Sequence, residues 1–197
     1  MSNYIVIVSG LPRSGTSMMM RMLEAGGLDV LVDNVKGADE DNPKGYYEFE
    51  RVKGTRYDSS WLNDASGKAV KVVSKYIYDL PLDQEYRIIF MKRNMSEVLA
   101  SQKRMLEKRG FDPGVERGQI MSSLFTRHLA EVSHWISTQK RMSAVHINYC
   151  DIIENPLTYA MKVNDLLDRT LDISSMAEEV EPSLYRHRSI YLSQSSF

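Results

Sequence analysis

The sequence predicts an α/β domain, with a central, mostly parallel β-sheet flanked by helices. Two observations carry that expectation. Short apolar, β-branched runs alternate with longer helix-forming stretches, the order in which a parallel sheet is threaded through its covering helices. The first such run, YIVIVS, also passes through a turn holding Gly10, Pro12 and Gly15 straight into a helix-forming segment. The length, 197 residues of which 43% are hydrophobic, suits one compact domain spanning residues 1–197.

The elements follow in order. Tyr4 to Ser9 is a strand, and a helix runs from about Gly15 to Ala25, where Gly26 and Gly27 stop it. Leu28 to Val32 is apolar enough for a second strand, and the polar stretch from Asp33 to Gly45 is a loop by composition. A weak helix is expected from about Tyr47, irregular near Gly54. Lys68 to Val73 and Tyr86 to Met91 are short β-branched runs of the kind buried in parallel sheets. Met95 to Gly110 consists of helix formers closed by a glycine. Asp112 and Pro113 then supply a cap and a first-turn proline for a long helix to about Met142. Ala144 to Tyr149 is a further strand, and Pro156 opens a helix to about Asp168.

Composition narrows the functions. Lys and Arg together number 25 against 26 for Asp and Glu, so no general basic excess favours nucleic acid, and an anion site must be local. The single cysteine, Cys150, excludes an internal disulfide, and four scattered histidines give no metal-ligand spacing, so no metal is expected. The apolar start is broken by Gly10, Pro12 and Arg13 and reads as a fold element rather than a signal peptide. No apolar run approaches the ~20 residues of a membrane span. A cytoplasmic protein without membrane contact is expected, with most of its twelve methionines as core filler.

The turn after the first strand carries chemistry. GLPRSGTS, Gly10 to Ser17, has the glycine spacing of the nucleotide-binding loop G-x-x-x-x-G-K-[ST], but Thr16 stands where that loop has lysine. The helix N-terminus still offers backbone N–H groups and a positive dipole end to an anion. The hydroxyls of Ser14, Thr16 and Ser17 and the charge of Arg13 surround the same point. The lysine that reaches the β- and γ-phosphates is missing, and so is a strand-end Asp for magnesium, since the later strands run into Ser74-Lys75 and Lys92-Arg93. Such a site neutralises its ligand with protein cations rather than a metal.

The segment Arg13-Ser14-Gly15-Thr16-Ser17 resembles the 5′-phosphosulfate loop, [KR]-S-G-[TS]-[ST], of sulfotransferases that use 3′-phosphoadenosine 5′-phosphosulfate. A second stretch, RNMSEVLAS, resembles that family's other signature, an Arg at a strand end followed eight residues later by a Ser on the next helix. The resemblance implies that Arg93 and Ser101 hold the donor's 3′-phosphate. A guanidinium fork and a hydroxyl suit a terminal phosphate. Tyr149, Asp151 and Pro156 match a third, looser family segment and read as mainly structural, with Asp151 a turn or cap residue.

The resemblance implies sulfuryl transfer to a small-molecule, carbohydrate or peptide acceptor, which requires a base and a cation but no metal. The family's usual histidine base has no counterpart in AVKVVSK. Some family members use a glutamate instead, which points to Glu48, ahead of Glu50, as base. Lys71 and Lys75 are the candidate cations, and Lys71 is notable as a charge between Val70 and Val72 in a strand. Tyr46 and Tyr47 either line an acceptor pocket or pack. The family's C-terminal R-K-G element is absent, with Arg186 and Arg188 as substitutes. Two other readings stand beside this one: a small-molecule kinase using ATP, and a nucleotide-binding protein that keeps the cradle without the chemistry.

Overall fold

The computed structural model describes residues 4–33, 35, 37–39, 42–108, 110–111, 114–168 and 170–185. Four strands, β1 (Ile5–Gly10), β2 (Ala69–Val73), β3 (Tyr86–Lys92) and β4 (Met142–Asn148), form one sheet in the order β2-β1-β3-β4 with every pairing parallel. All six residues of β1 are buried, which is why its sequence shows no polar alternation. The helices are α1 (Thr16–Ala25), α2 (Met95–Lys108), α3 (Val115–Thr138), α4 (Tyr149–Glu154), α5 (Pro156–Leu167) and α6 (Ile173–Glu178).

Two apolar clusters sandwich the sheet. On one face Val6, Val8, Ile89 and Met91 pack against Met19, Met20, Met22 and Leu23 of α1 and against α5 and α6. On the other face Ile7, Val72, Ile88 and Phe90 pack against Trp61, Ile77 and the Val132 and Ile136 positions of α3. The α1 methionines are core filler as expected, whereas Met161 is exposed.

Several boundaries differ from the sequence-based expectation. Leu28 to Val32 is not a full strand: Val30 makes one bridge to Ala69, with Ala69 N–H donating to Asp29 and Leu31 N–H to Ala69. Where a weak helix was expected from Tyr47, two 3-10 turns occur, Glu50–Gly54 and Ser60–Asp64. The fully buried Trp61 dictates them, since its indole N–H reaches Thr55 Oγ1 at 3.1 Å and its ring meets Phe49 edge-on. The long helix stops at Thr138, and the last strand begins two residues early because Met142 pairs with Tyr86. Asp112 and Pro113 lie outside the described residues. Helix α6 was not anticipated; its cap is Asp172, which accepts the Ser175 N–H at 3.0 Å. Asp151 was expected as a turn or cap residue; the N-cap of α4 is Asn148, and Asp151 stands in the first turn, where accepting from Asn148 leads the causes that hold its carboxyl below the usual range. No helix among the described residues is long and apolar enough to cross a membrane.

Candidate functional site

The C-terminal ends of parallel strands gather the polar residues, and here β1 delivers the loop. Gly10 has φ +147°, and a Cβ there would sit 2.5 Å from the Met91 carbonyl oxygen, so β3 approaches too closely for any side chain. Arg13 takes a left-handed conformation, φ +75°, which turns the loop over onto α1. Gly15 is the N-cap of α1 at φ +98° and supplies no side chain to cap the first helical N–H groups, which leaves those donors to a ligand. Its own Cβ would lie 2.4 Å from Tyr149 Cδ2, so the Tyr149 ring rests directly on the loop.

A cavity of about 300 Å³ opens over this helix start. Arg13, Gly15, Thr16, Ser17, Glu48, Lys71, Arg93 and Ser101 all line it, so eight of the nine residues of the two motifs and the leading base–cation pair converge. Ser14 is the ninth and is placed differently. It is buried, and both its hydroxyl (2.7 Å) and its N–H (3.2 Å) donate to the Leu11 carbonyl, so it braces the loop from behind.

The two sequence motifs are physically joined. Arg13 Nε donates to Ser101 Oγ at 2.9 Å, and Arg93 Nη1 donates to the Arg13 carbonyl at 3.2 Å. Arg93 is further held by Glu97, which accepts from Nε at 2.9 Å. The guanidinium also lies 4.5 Å from the Tyr149 ring centre and 5.3 Å from that of Tyr185. Cation–ring contact of this kind keeps a planar fork from swinging.

On the other side of the cavity, Lys71 enters from β2. It is only 8% exposed, which a lone ammonium does not tolerate. Its Nζ donates to the Tyr46 carbonyl and stands 3.9 Å from Glu48 Oε1. Ser17 Oγ donates to the same Tyr46 carbonyl at 3.1 Å. The segment carrying it is sharply turned: Gly45 has φ +85° and Tyr47 φ +53°. Tyr46 is anchored by its hydroxyl on the Asp39 carboxylate at 2.8 Å, and it lines the cavity. Tyr47 packs instead, donating to Glu24, and burial followed by that hydrogen bond raises its pKa. Lys75, the second candidate cation, is exposed, sits over the Tyr76 ring at 4.5 Å and does not line the cavity. Glu50 is paired with Lys53.

Sequence reading gave no site role to four residues that stand at or behind the cavity. Arg21, one helical turn after Ser17, lines the cavity and is 3.3 Å from Glu179. Arg104, three residues after Ser101, lines its outer edge, and Tyr149 supplies a wall. Glu97, in the first turn of α2, pairs with Arg93 in the connection from β3. Arg186 and Arg188 lie outside the described residues. His128 and His146 are away from the cavity, on Ser74 (2.9 Å) and Ser133 (3.3 Å). Among the described residues no group of three His, Cys, Asp or Glu side chains could hold a metal ion.

No protein-family model matches the sequence, and comparison with curated proteins gives no match. Solved structures do match. The sulfotransferase domain from the curacin biosynthetic pathway aligns with TM-score 0.55 at 14% identity, covering 90% of this chain and 78% of that one. Sulfotransferase STF1 from Mycobacterium tuberculosis H37Rv aligns with TM-score 0.53 at 12% identity over 91% of this chain and 71% of its own. The sulfotransferase domain of the Synechococcus PCC 7002 olefin synthase gives TM-score 0.54 at 12% identity over 95% and 84%. The protein therefore has a sulfotransferase-like fold.

Proposed function

We propose that the protein is a sulfotransferase that moves a sulfuryl group from 3′-phosphoadenosine 5′-phosphosulfate to a hydroxyl or amine acceptor. One observation carries the reading: the loop at Arg13 and the strand-end Arg93 with Ser101 are hydrogen-bonded neighbours on a single cavity that also contains the Lys71–Glu48 pair. A donor with an anion at each end of its ribose needs two such cationic points, and its acceptor needs a base beside a cation.

The residues fit that co-substrate. The uncapped start of α1, with Thr16 and Ser17, suits the 5′-phosphosulfate, and Arg93 with Ser101 suits the 3′-phosphate. In the proposed reaction the Glu48 carboxylate takes the acceptor's proton as its oxygen or nitrogen bonds to sulfur. The bond from sulfur to the bridging oxygen breaks, and 3′,5′-adenosine bisphosphate leaves with the electron pair. The Lys71 ammonium stabilises the charge that grows on that oxygen.

Isothermal titration in the presence of a chelator tests the reading. Binding of 3′,5′-adenosine bisphosphate is expected to be clearly tighter than that of ADP and independent of magnesium, and Arg93→Ala is expected to remove most of the difference. Equal affinity for ADP, or hydrolysis of ATP that depends on magnesium, would overturn it. Mass-spectrometric detection of sulfated product across an acceptor panel separates an enzyme from a nucleotide-binding protein.

A further inference from the structure

Arg93 does not stand alone in the cavity wall. Glu97 holds its Nε at 2.9 Å, and the second oxygen of the same carboxylate accepts the Tyr185 hydroxyl at 2.7 Å. The Glu97 side chain is 4% exposed, and neither Glu97 nor Tyr185 lines the cavity, whereas Arg93 does. The carboxylate therefore sits behind the guanidinium, on the side away from any ligand. The Tyr185 ring closes the arrangement by meeting Tyr149 edge-on at 5.2 Å.

A buried carboxylate behind an anion site has two opposite effects. Its charge subtracts from the attraction that the guanidinium offers a phosphate. Its hydrogen bond on Nε, together with that of Nη1 on the Arg13 carbonyl, fixes the orientation of the fork in the cavity wall. A protein that only needed positive charge here would do better with a neutral residue at position 97. Burial of Glu97, and its second anchor in a residue 88 positions away in the chain, favour the orienting effect.

We infer that Glu97 and Tyr185 are positioning residues, acting through Arg93 to give the site its selectivity for nucleotides that carry a 3′-phosphate. A residue from the C-terminal part of the chain, Tyr185, thus contributes to donor choice without touching the donor. This rests on the reading of Arg93 as the 3′-phosphate contact.

The test compares 3′,5′-adenosine bisphosphate with 5′-AMP, which lacks only the 3′-phosphate, by isothermal titration on the full chain. The readout is the ratio of their dissociation constants. In Glu97→Ala the ratio is expected to fall about tenfold, the worth of one charge-assisted hydrogen bond. Tyr185→Phe, which removes a single oxygen, is expected to lower it by a smaller factor, roughly threefold, as for one hydrogen bond made at second hand. Glu97→Gln keeps an acceptor for Nε and is expected to hold the ratio close to wild type. A merely structural role would weaken both nucleotides equally and leave the ratio unchanged, which would overturn the inference. A ratio that rises in both Glu97 variants would overturn it too, because the carboxylate would then act only by cancelling charge. A wild-type ratio near one would instead remove the underlying reading of Arg93.

Discussion

Replacing Gly15 by alanine tests how the loop and the Arg93 site are coupled. Two costs apply. An L-residue at φ +98° pays the left-handed penalty, about 1–2 kcal/mol. The new methyl would also stand 2.4 Å from Tyr149 Cδ2 and 2.9 Å from Cε2. Tyr149 is 6% exposed and hemmed in by Arg93 and Tyr185, so it cannot retreat without disturbing them. Overpacking of this kind costs about 1–3 kcal/mol. Gly27 supplies the control, with a similar φ of +91° and no atom within 4 Å of its would-be Cβ.

At about 2–4 °C per kcal/mol for a domain of this size, Gly27→Ala is expected to lower Tm by roughly 2–8 °C, and Gly15→Ala by roughly 2–12 °C more. Thermal unfolding followed by circular dichroism measures both, and titration with 3′,5′-adenosine bisphosphate reads the site. Gly15→Ala is expected to weaken that binding, because the displaced ring is the one against which the Arg93 guanidinium lies, whereas Gly27→Ala leaves it intact. Equal losses of Tm in the two variants would refute the packing argument. Undiminished nucleotide affinity in Gly15→Ala would refute the coupling.

Two further outcomes are expected. Lys71→Met, similar in shape at a nearly buried position, should leave the fold standing while sulfuryl transfer falls by about 10²–10³; Glu48→Gln should lower transfer by about 10²–10⁴ without changing the affinity for 3′,5′-adenosine bisphosphate, and a steady-state assay showing full turnover in either variant removes it from the chemistry. Stability should also fall on mild acidification: burial depresses the pKa of His128, and burial with Lys92 beside it depresses that of His146, both from 6.5. The unfolded chain therefore binds protons first, so the stability that these imidazoles contribute is fully present above pH 6.5 and is lost as pH falls toward the folded values. Melting curves between roughly pH 7.5 and 5.5 should show a shallower decline in the His128→Gln, His146→Gln double variant than in wild type, and equal slopes would contradict the assignment.

What the sequence disclosed depended on whether the cause was local. The loop was legible because Gly10 and Gly15 are demanded by backbone geometry, and only glycine meets the demand. Lys71 was legible because a charge between valines is costly enough to need a reason. Arg93 and Ser101 stood out only through the resemblance to a family signature, since a strand-end Arg and a helix Ser carry no local demand of their own. The direction of the Ser14 hydroxyl was not, because the turn that captures it is set by the folded path of Leu11. Nor was the contact of Tyr185 with Glu97, 88 residues away. The piece from Leu28 to Val32 had the composition of a strand, yet it meets β2 at a single bridge before the chain turns away.

The lysine missing from the loop is answered by the neighbouring strand. Position 16, at the first turn of α1, holds Thr, and the ammonium that reaches the cavity comes instead from Lys71 on β2. Its direction is fixed by register: Lys71 pairs with Val8, while Val70 and Val72 turn to the Trp61 cluster on the opposite face. A slip of one residue would bury the charge in that cluster and aim a valine at the cavity, so the apolar pattern of β2 protects the position of its one cation. The change of origin has a chemical consequence. A lysine on α1 would be a fixture of the phosphate loop alone, whereas Lys71 reaches across to the Tyr46 carbonyl and Glu48, on the segment that brings the candidate base. Cation and carboxylate are thereby set as a pair, 3.9 Å apart, and under the proposed reaction one strand register fixes both the charge that receives the leaving oxygen and the group that takes the acceptor's proton.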